Sequence, residues 1–227
     1  MTDYWVTGKA EDEVRYGKNV ADASKEAGVS HLIFSSLLNV TELSGGKLRH
    51  VTHFDSKADV EKYIRSVGIP CTFVMPAAYM TNYQQQLRKG DDGVWTLAYP
   101  IPQDESIIPL ISPADDLGLF VKPALRDPAK FNGKRILAAA GYYTPRQLLA
   151  DFEEVTGHKT QFFPINGDMF KSFLPPHMAE ELYENHLLMH EPGYYGGASL
   201  DESLAALGGE KPTSWKDFVK TQKDWME

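Results

Sequence analysis

Two short apolar runs, each preceded by a helical pattern, constrain the fold more than any other feature of this sequence. In chain order, the helical segments and apolar runs are 11–27, HLIFSS (31–36), 54–67 and IPCTFVMP (69–76). Each helical segment is followed by a glycine, Gly28 or Gly68, which is a common helix stop. Short continuous apolar runs are typical of strands that are covered on both faces. Strands and helices that alternate at these lengths form right-handed parallel crossovers, so residues 11–76 predict a doubly wound α/β sheet.

The helical periodicity also predicts which face of each amphipathic helix is buried. In the first helical segment the apolar residues at helical spacing are Val14, Tyr16, Val20, Ala21, Ala23 and Ala27. In the second they are Phe54, Ala58, Val60, Tyr63, Ile64 and Val67. We expect both sets to point inward, because an apolar stripe on a helix is stabilised by burial.

The second half of the chain has mixed strand and helix character. Its predicted strands lie in GVWTLAYP (93–100), SIIPLIS (106–112), KRILAAAG (134–141) and KTQFFPI (159–165). Its predicted helices lie in 112–125, in 144–157 with Thr144 as the N-cap, in pieces of 168–191 interrupted by Pro175 and Pro176, and in 213–226. We therefore predict one domain over residues 1–227, in which 1–90 carry the C-terminal portion of a Rossmann-type sheet and 91–227 form mostly a smaller mixed α+β lid region.

Charge and hydropathy exclude two classes of partner. The net charge is −8, and the 23 lysines and arginines are scattered among acids, so we expect no direct contact with nucleic acid. No run approaches the roughly 18 apolar residues that span a bilayer, and the N-terminus has no basic start followed by an apolar stretch. We expect a cytoplasmic protein, with the nucleus as a second location. The only cysteine, Cys71, lies in an apolar run and is predicted to be a core residue.

The common phosphate-binding and metal-binding motifs do not match this sequence. The glycine-rich places SGGKL (44–48), YYGGAS (194–199) and LGGEK (207–211) fit neither a dinucleotide fingerprint nor a P-loop. The histidine pairs in HVTH (50–53) and HLLMH (186–190) have no third ligand at a recognisable distance, so we predict no metal site. A triad of Ser36, His53 and Asp55 is not favoured, because no nucleophile-elbow glycines flank the serine.

The stretch HFDSK (53–57) carries the most informative spacing. On a helix, His53 and Lys57 stand on one face, while Ser35 and Ser36 lie at the carboxyl end of the preceding strand, where ligands of open α/β sheets bind. This arrangement resembles the Ser and Tyr-x-x-x-Lys pattern of short-chain dehydrogenase/reductases, with His53 in the tyrosine position. It makes Ser35 and Lys57 candidates for cofactor binding, and His53 and Ser36 weaker candidates for catalysis.

Longer blocks of the sequence carry a family resemblance. They are TDYW (2–5), residues 16–40, residues 53–82, PLISPADDLG (109–118) and the terminal SWKDFVKTQKDW (214–225). In this order they resemble the NmrA-like family, atypical short-chain dehydrogenase/reductase relatives that include the nitrogen regulator NmrA and the redox sensor HSCARG. The resemblance covers essentially the whole chain.

The resemblance implies that NADP or NAD is the cofactor. Lys57 would reach the ribose hydroxyls of the dinucleotide. A reductase needs a proton donor at the tyrosine position, and His53 is shorter than a tyrosine, so the resemblance does not imply dehydrogenase activity. The other cofactor-binding candidates that the resemblance supplies are Pro76, Tyr79, Asn82, Tyr4 and Trp5.

The sequence departs from the family at its front. Family members begin with a strand, a glycine-rich turn and a helix that hold the pyrophosphate, and this sequence starts after that block. We therefore expect an N-terminally truncated domain whose strand at 31–36 has an unpaired edge. We also expect impaired binding of NADP and NAD.

Two functions follow from the resemblance. The first is a regulatory or redox-sensor protein that acts through a protein partner, such as a transcription factor or a metabolic enzyme, without dehydrogenase activity. The alternative is an NAD(P)H-dependent oxidoreductase of the isoflavone-reductase type, which relies on the lysine. The sequence favours the regulator and leaves enzyme activity and homodimerisation open.

Overall fold

Helices and short strands alternate along residues 4–226, the part of the chain that the computed structural model describes. The helices are α1 (Ala10–Glu26), α2 (Val40–Leu43), α3 (Thr52–Val67), α4 (Tyr83–Gln86), α5 (Pro113–Arg126), α6 (Pro128–Phe131), α7 (Pro145–Thr156), α8 (Gly167–Ser172), α9 (Pro176–His190), α10 (Asp201–Ala205) and α11 (Trp215–Thr221). The strands are β1 (Leu32–Ser35), β2 (Cys71–Pro76), β3 (Ala78–Tyr79), β4 (Leu87–Lys89), β5 (Trp95–Tyr99), β6 (Ile108–Ile111), β7 (Arg135–Ala138), β8 (Gly141–Tyr143) and β9 (Thr160–Pro164). The fold is α/β, as the sequence predicts.

The chain divides into two units, and the first carries the parallel sheet. Unit 1 contains the residues up to Pro76, Gly118–Ala138 and Asp201–Glu210. Its three strands have the order β1-β2-β7, and both pairs are parallel. In this register Ser35 lies opposite Val74. The predicted parallel crossover from β1 through α3 to β2 is therefore confirmed.

The core of unit 1 lies between the sheet and its helices. Its buried cluster consists of Ala21, Phe34, Val60, Ile64, Ile69, Cys71 and Phe73. All six residues of β2 are buried, which explains its continuous apolar run. Burial also raises the pKa of the Cys71 thiol to about 12, so this side chain has the core role that its sequence context predicts.

The buried face of α1 differs from the predicted one. Tyr16 and Val20 are exposed, with 41% and 47% of their surface accessible, although the apolar pattern places them inward. Ala21 is fully buried, as predicted, but the other buried residues of α1 are Glu13 and Gly17. A Cβ on Gly17 would lie 2.5 Å from Cγ1 of Val60, so the glycine allows α1 to approach α3 closely. The face of α1 that contains Gly17 therefore packs against α3, and the more apolar face with Tyr16 and Val20 is exposed.

Helix α3 follows its predicted pattern more closely. Phe54, Ala58, Val60 and Ile64 are buried as expected. The helix ends at Gly68, whose φ of 75° is accessible to glycine without strain. Its buried face also contains Ser56 and Glu61, two polar residues that the periodicity does not predict.

Unit 2 is a mixed α+β region. It contains Ala77–Leu117, Ala139–Leu200 and the residues from Lys211 onward. One sheet has the order β3-β6-β8 and the other β4-β5-β9, and each combines a parallel with an antiparallel pair. Thr144 caps α7 in a capping box, as predicted from its position before Pro145.

The expected open edge of the parallel sheet is present. Within residues 4–226, β1 has a strand neighbour on one side only.

None of the helices in the same part of the chain has both the length and the apolar character needed to cross a membrane.

Candidate functional site

The first turn of α3 places His53 in a cluster of aromatic rings. Its ring centroid lies 5.1 Å from that of Trp5 and 5.9 Å from that of Tyr4. Both rings come from a 3₁₀ turn, Tyr4–Val6, and the hydroxyl of Tyr4 lies 2.6 Å from Oγ1 of Thr52. The structure therefore brings together three predicted site residues, His53, Tyr4 and Trp5. The start of the matching block TDYW, Thr2 and Asp3, lies outside the described residues.

Lys57 lies one turn further along α3 and forms an ion pair with Glu13 of α1. The Nζ of Lys57 lies 2.7 Å from Oε1 of Glu13, and the two side chains are 12% and 0% exposed. The hydroxyl of Ser56 donates a hydrogen bond to the other carboxylate oxygen of Glu13. Lys57 is thus held in a defined position with little access to solvent, which lowers the entropic cost of using it to bind a ligand.

Sequence reasoning missed Glu13. Glu11, Asp12 and Glu13 together resemble the acidic first turn that many exposed helices carry. Glu13 differs from its neighbours because it shares the stripe of Gly17 and Ala21 that faces α3. Its spacing of four from Gly17 places both residues on one face of α1. The sequence does not show that this face is buried, because its burial depends on the contact between α1 and α3.

The two candidate serines at the carboxyl end of β1 have different environments. Ser35 is half-buried at the last position of the strand, and Ser36 is fully buried. The hydroxyl of Ser36 donates to Oε2 of Glu61 at 2.6 Å. The other oxygen of Glu61 accepts hydrogen bonds from Arg65 at 2.8 Å and Arg135 at 2.9 Å. Ser36 therefore belongs to a buried polar network that joins α3 to β1 and β7.

The members of the disfavoured Ser-His-Asp arrangement have separate partners. Asp55 accepts hydrogen bonds from the backbone N–H of Val40 at 2.6 Å and from the hydroxyl of Thr41 at 2.5 Å. Its carboxylate thus anchors the first turn of α2, while Ser36 donates to Glu61. These hydrogen bonds direct Ser36 and Asp55 to partners other than His53, so they do not form a Ser-His-Asp triad.

The remaining candidates lie in different units. Pro76 is the buried last residue of β2 in unit 1. In unit 2, Tyr79 ends β3 and is half-buried, and burial raises the pKa of its phenol. Asn82 is exposed at the end of the 3₁₀ turn Met80–Asn82.

The described residues fit one end of a nicotinamide dinucleotide better than the other. Lys57 is the cation that the family resemblance assigns to the ribose hydroxyls. Pyrophosphate binding uses backbone amides at a helix N-terminus that follows a strand. Within residues 4–226, none of the glycine pairs has that position: Gly45 and Gly46 follow α2, Gly208 and Gly209 follow α10, and Gly196 and Gly197 lie in a turn after α9.

The parallel sheet β1-β2-β7, with α3 as the crossover between β1 and β2, defines a Rossmann-type α/β protein. The chain belongs to the NmrA-like family, whose model matches residues 2–219. This membership confirms the resemblance seen in the sequence blocks.

Individual relatives include named oxidoreductases and regulators. The NmrA-like family domain-containing oxidoreductase malD of Malbranchea aurantiaca is 34% identical over 157 residues, which are 64% of this chain and 46% of malD. The nitrogen metabolite repression protein nmrA of Emericella nidulans is 30% identical over 185 residues, 78% of this chain and 51% of that protein. The chain spans about half the length of these curated relatives.

A solved structure shows the shared fold. It is that of NmrA, a negative transcriptional regulator, in complex with NADP, and it matches with a TM-score of 0.79 at 23% sequence identity. The match covers 95% of this chain and 74% of the NmrA chain.

We expect Glu13→Gln to lower the free energy of unfolding by about 2 kcal/mol. The substitution removes the charge of the carboxylate that pairs with the Lys57 ammonium, and breaking a fully buried pair costs about 3–5 kcal/mol. The effect is smaller here because 12% of the Lys57 side chain is exposed to water. Urea denaturation monitored by circular dichroism measures the change.

The matched control for this prediction is Glu11→Gln. Glu11 is an exposed carboxylate in the same turn of α1, so its replacement should change stability by less than about 0.5 kcal/mol. The double variant Glu13→Gln/Lys57→Met should recover most of the loss, because both charges are removed together. Equal effects of Glu13→Gln and Glu11→Gln would contradict the structural role of the pair.

Proposed function

We propose that this chain is a regulatory or redox-sensing protein that binds a nicotinamide dinucleotide and acts through a protein partner, without catalysing dehydrogenation. The observation that carries this proposal is the residue four positions before Lys57. In a reductase that position supplies a phenol as proton donor. Here it is His53, which lies in an aromatic cluster with Tyr4 and Trp5.

Lys57 is the residue assigned to the dinucleotide. Its ammonium can donate hydrogen bonds to the two ribose hydroxyls, and the ion pair with Glu13 holds it in place. A bound NADP or NAD would report the redox state of the cell to the protein, because the ratio of its oxidised to its reduced form follows that state. The solved NmrA with NADP supports this assignment by its shared fold. Affinity is expected to be low, because none of the glycine pairs within residues 4–226 lies between a strand and a helix N-terminus, where a pyrophosphate would be bound.

The charge of the chain indicates the kind of partner. At a net charge of −8, an acidic surface attracts a basic protein surface and repels nucleic acid. A transcription factor or a metabolic enzyme with a basic docking face fits this requirement, in the cytoplasm or the nucleus. The name of nmrA, a nitrogen metabolite repression protein, supports a regulatory role of this kind.

Calorimetric titration with NADP+ and NAD+ tests the assignment of Lys57. We expect millimolar rather than micromolar binding by the chain, and no detectable binding by Glu13→Gln/Lys57→Met, which removes both charges of the buried pair. Lys47→Met is the control, since Lys47 is exposed and lies outside both α1 and α3. Unchanged binding by the double variant would remove Lys57 from the site, and micromolar binding by the chain would refute impaired affinity.

A second candidate function is an NAD(P)H-dependent oxidoreductase. The observation that favours it is the name of malD, which calls that relative an oxidoreductase. In this alternative Lys57 takes part in catalysis and His53 is not needed as an acid. Oxidation of NADPH by a quinone or an enone, lost in Lys57→Met and retained in His53→Phe, would establish it. Absence of turnover under conditions where NADP+ binds would support the regulator.

A further inference from the structure

Strand β1 has an open edge whose backbone groups point away from the sheet. The N–H groups of Leu32 and Ser36 donate to backbone carbonyls on the β2 side, so the even-numbered positions of this stretch face β2. Because the bonding direction alternates along a strand, the N–H and C=O groups of Ile33 and Ser35 face the other way. Among residues 4–226, neither of these two N–H groups has an acceptor.

Two other outer strands have their edge donors satisfied by side chains. In β7, the outward N–H of Leu137 donates to Oγ of Ser203 on α10 at 2.9 Å. In β9 of unit 2, the N–H of Thr160 donates to Oε1 of Glu153 at 2.6 Å, and Pro164 has no N–H. Such features keep an edge from pairing with another chain. Strand β1, with the sequence LIFS, contains neither a charged residue nor a proline.

The edge of β1 is complementary to itself. Two copies of β1 can pair antiparallel about a two-fold axis at Phe34, which places Ile33 of one copy opposite Ser35 of the second copy. Each such pair exchanges two N–H···O=C bonds, so the two pairs form four. The joined sheet has six strands in the order β7-β2-β1-β1-β2-β7. No like charges meet, because β1 carries no charged side chain.

A second uncovered surface lies on α1, the helix that leads into β1. Tyr16, Val20 and Ala23 form an exposed apolar stripe at helical spacing, turned away from α3. The helix packs over β1, because Ala21 and Phe34 belong to one buried cluster. A two-fold axis perpendicular to the joined sheet keeps both copies of α1 on the same face of that sheet. The two apolar stripes then lie next to each other.

We propose that two copies of this chain associate through unit 1, with β1 pairing antiparallel and the apolar stripes of α1 covering each other. The backbone hydrogen bonds set the register of the two strands, and burial of the stripes supplies the apolar contact. This surface uses neither Lys57 nor Glu13. The association is therefore independent of the assignment of Lys57 to the dinucleotide.

Sedimentation velocity of the whole chain measures the association. We expect a dimer at micromolar concentrations. Ile33→Pro removes one outward N–H from each copy and leaves the bonds to β2, which come from the even-numbered positions. It should raise the dissociation constant of the dimer at least about tenfold. Ile33→Val is the control, because valine keeps both the N–H and the branched side chain, and its dissociation constant should be unchanged.

A charge in the stripe tests the same surface without altering β1. Val20 is 47% exposed, so Val20→Glu should fold, and the two carboxylates near the axis should raise the dissociation constant about tenfold. Asn19→Glu is the matched control. It adds the same charge at an exposed position outside the stripe, so we expect no change.

Hydrogen exchange locates the interface. The amide of Ile33 should exchange more slowly in the dimer than in Val20→Glu, whereas the amide of Thr160, bonded to Glu153 within one chain, should exchange equally in both. A monomeric chain, open aggregates in place of a dimer, or a dimer unaffected by both Ile33→Pro and Val20→Glu would each overturn the proposal. Loss of dinucleotide binding in Glu13→Gln/Lys57→Met would leave it unaffected.

Discussion

Glu61→Ala is expected to lower the free energy of unfolding by about 2–3 kcal/mol, less than for a fully buried pair, because Arg65 and Arg135 are 40% and 46% exposed and water can hydrate their guanidinium groups. The Glu61 carboxylate is 1% exposed and accepts hydrogen bonds from Ser36, Arg65 and Arg135. Its removal leaves a buried hydroxyl and two guanidinium groups without their shared acceptor. These partners lie on α3, just after β1, and on β7, so the loss affects the whole parallel sheet.

Urea denaturation of Glu61→Ala and Asp59→Asn measures this effect. Asp59 is a 52% exposed carboxylate on the same helix, 3.8 Å from Lys62, and its loss should change stability by less than about 0.5 kcal/mol. Glu61→Gln should lie between the two, because glutamine keeps one acceptor oxygen but no charge. A loss below about 1 kcal/mol in Glu61→Ala would show that water replaces the carboxylate.

His186 is expected to make unit 2 sensitive to mild acid. The imidazole is 6% exposed on α9, its ring lies 4.6 Å from that of Phe170, and its Nδ1 lies 2.8 Å from the carbonyl oxygen of Leu182. Burial lowers the pKa of His186 from 6.5 to about 4. Between about pH 4 and 6.5 the imidazole of His186 therefore stays neutral in the folded protein, whereas in the unfolded chain it has already bound a proton.

The sign of the effect follows from this difference in proton binding. The stability that neutral His186 contributes is complete above pH 6.5 and is lost as the pH falls toward 4. A pKa difference of about 2.5 corresponds to about 3 kcal/mol over the whole window. We expect His186→Leu to have a flatter dependence of unfolding free energy on pH between 7 and 4.

The control for this prediction is His177→Gln. His177 is an exposed histidine on the first turn of α9, so its replacement should leave the pH dependence of the chain intact. Unfolding in urea at several pH values compares both variants with the unsubstituted protein. The same slope in His186→Leu and His177→Gln would show that His186 is not the acid-sensitive group.

The sequence by itself determined the local structure of this protein. Apolar runs predicted β1 and β2, glycines marked the ends of α1 and α3, and Thr144 before Pro145 marked the start of α7. These signals depend on backbone conformation and on contacts within a few residues, so they are complete in a short stretch of sequence. The order of the sequence blocks also indicated the family, which the match over residues 2–219 confirmed.

Only the tertiary structure decided which polar residues act together. Glu13 pairs with Lys57 across 44 positions, and Glu61 meets Arg135 across 74. Because Gly17 packs closely against α3, Glu13 of the same face is buried and Val20 is exposed. Charge type and helical period do not reveal such partners, because an exposed and a buried carboxylate look alike until a second helix or strand covers one of them.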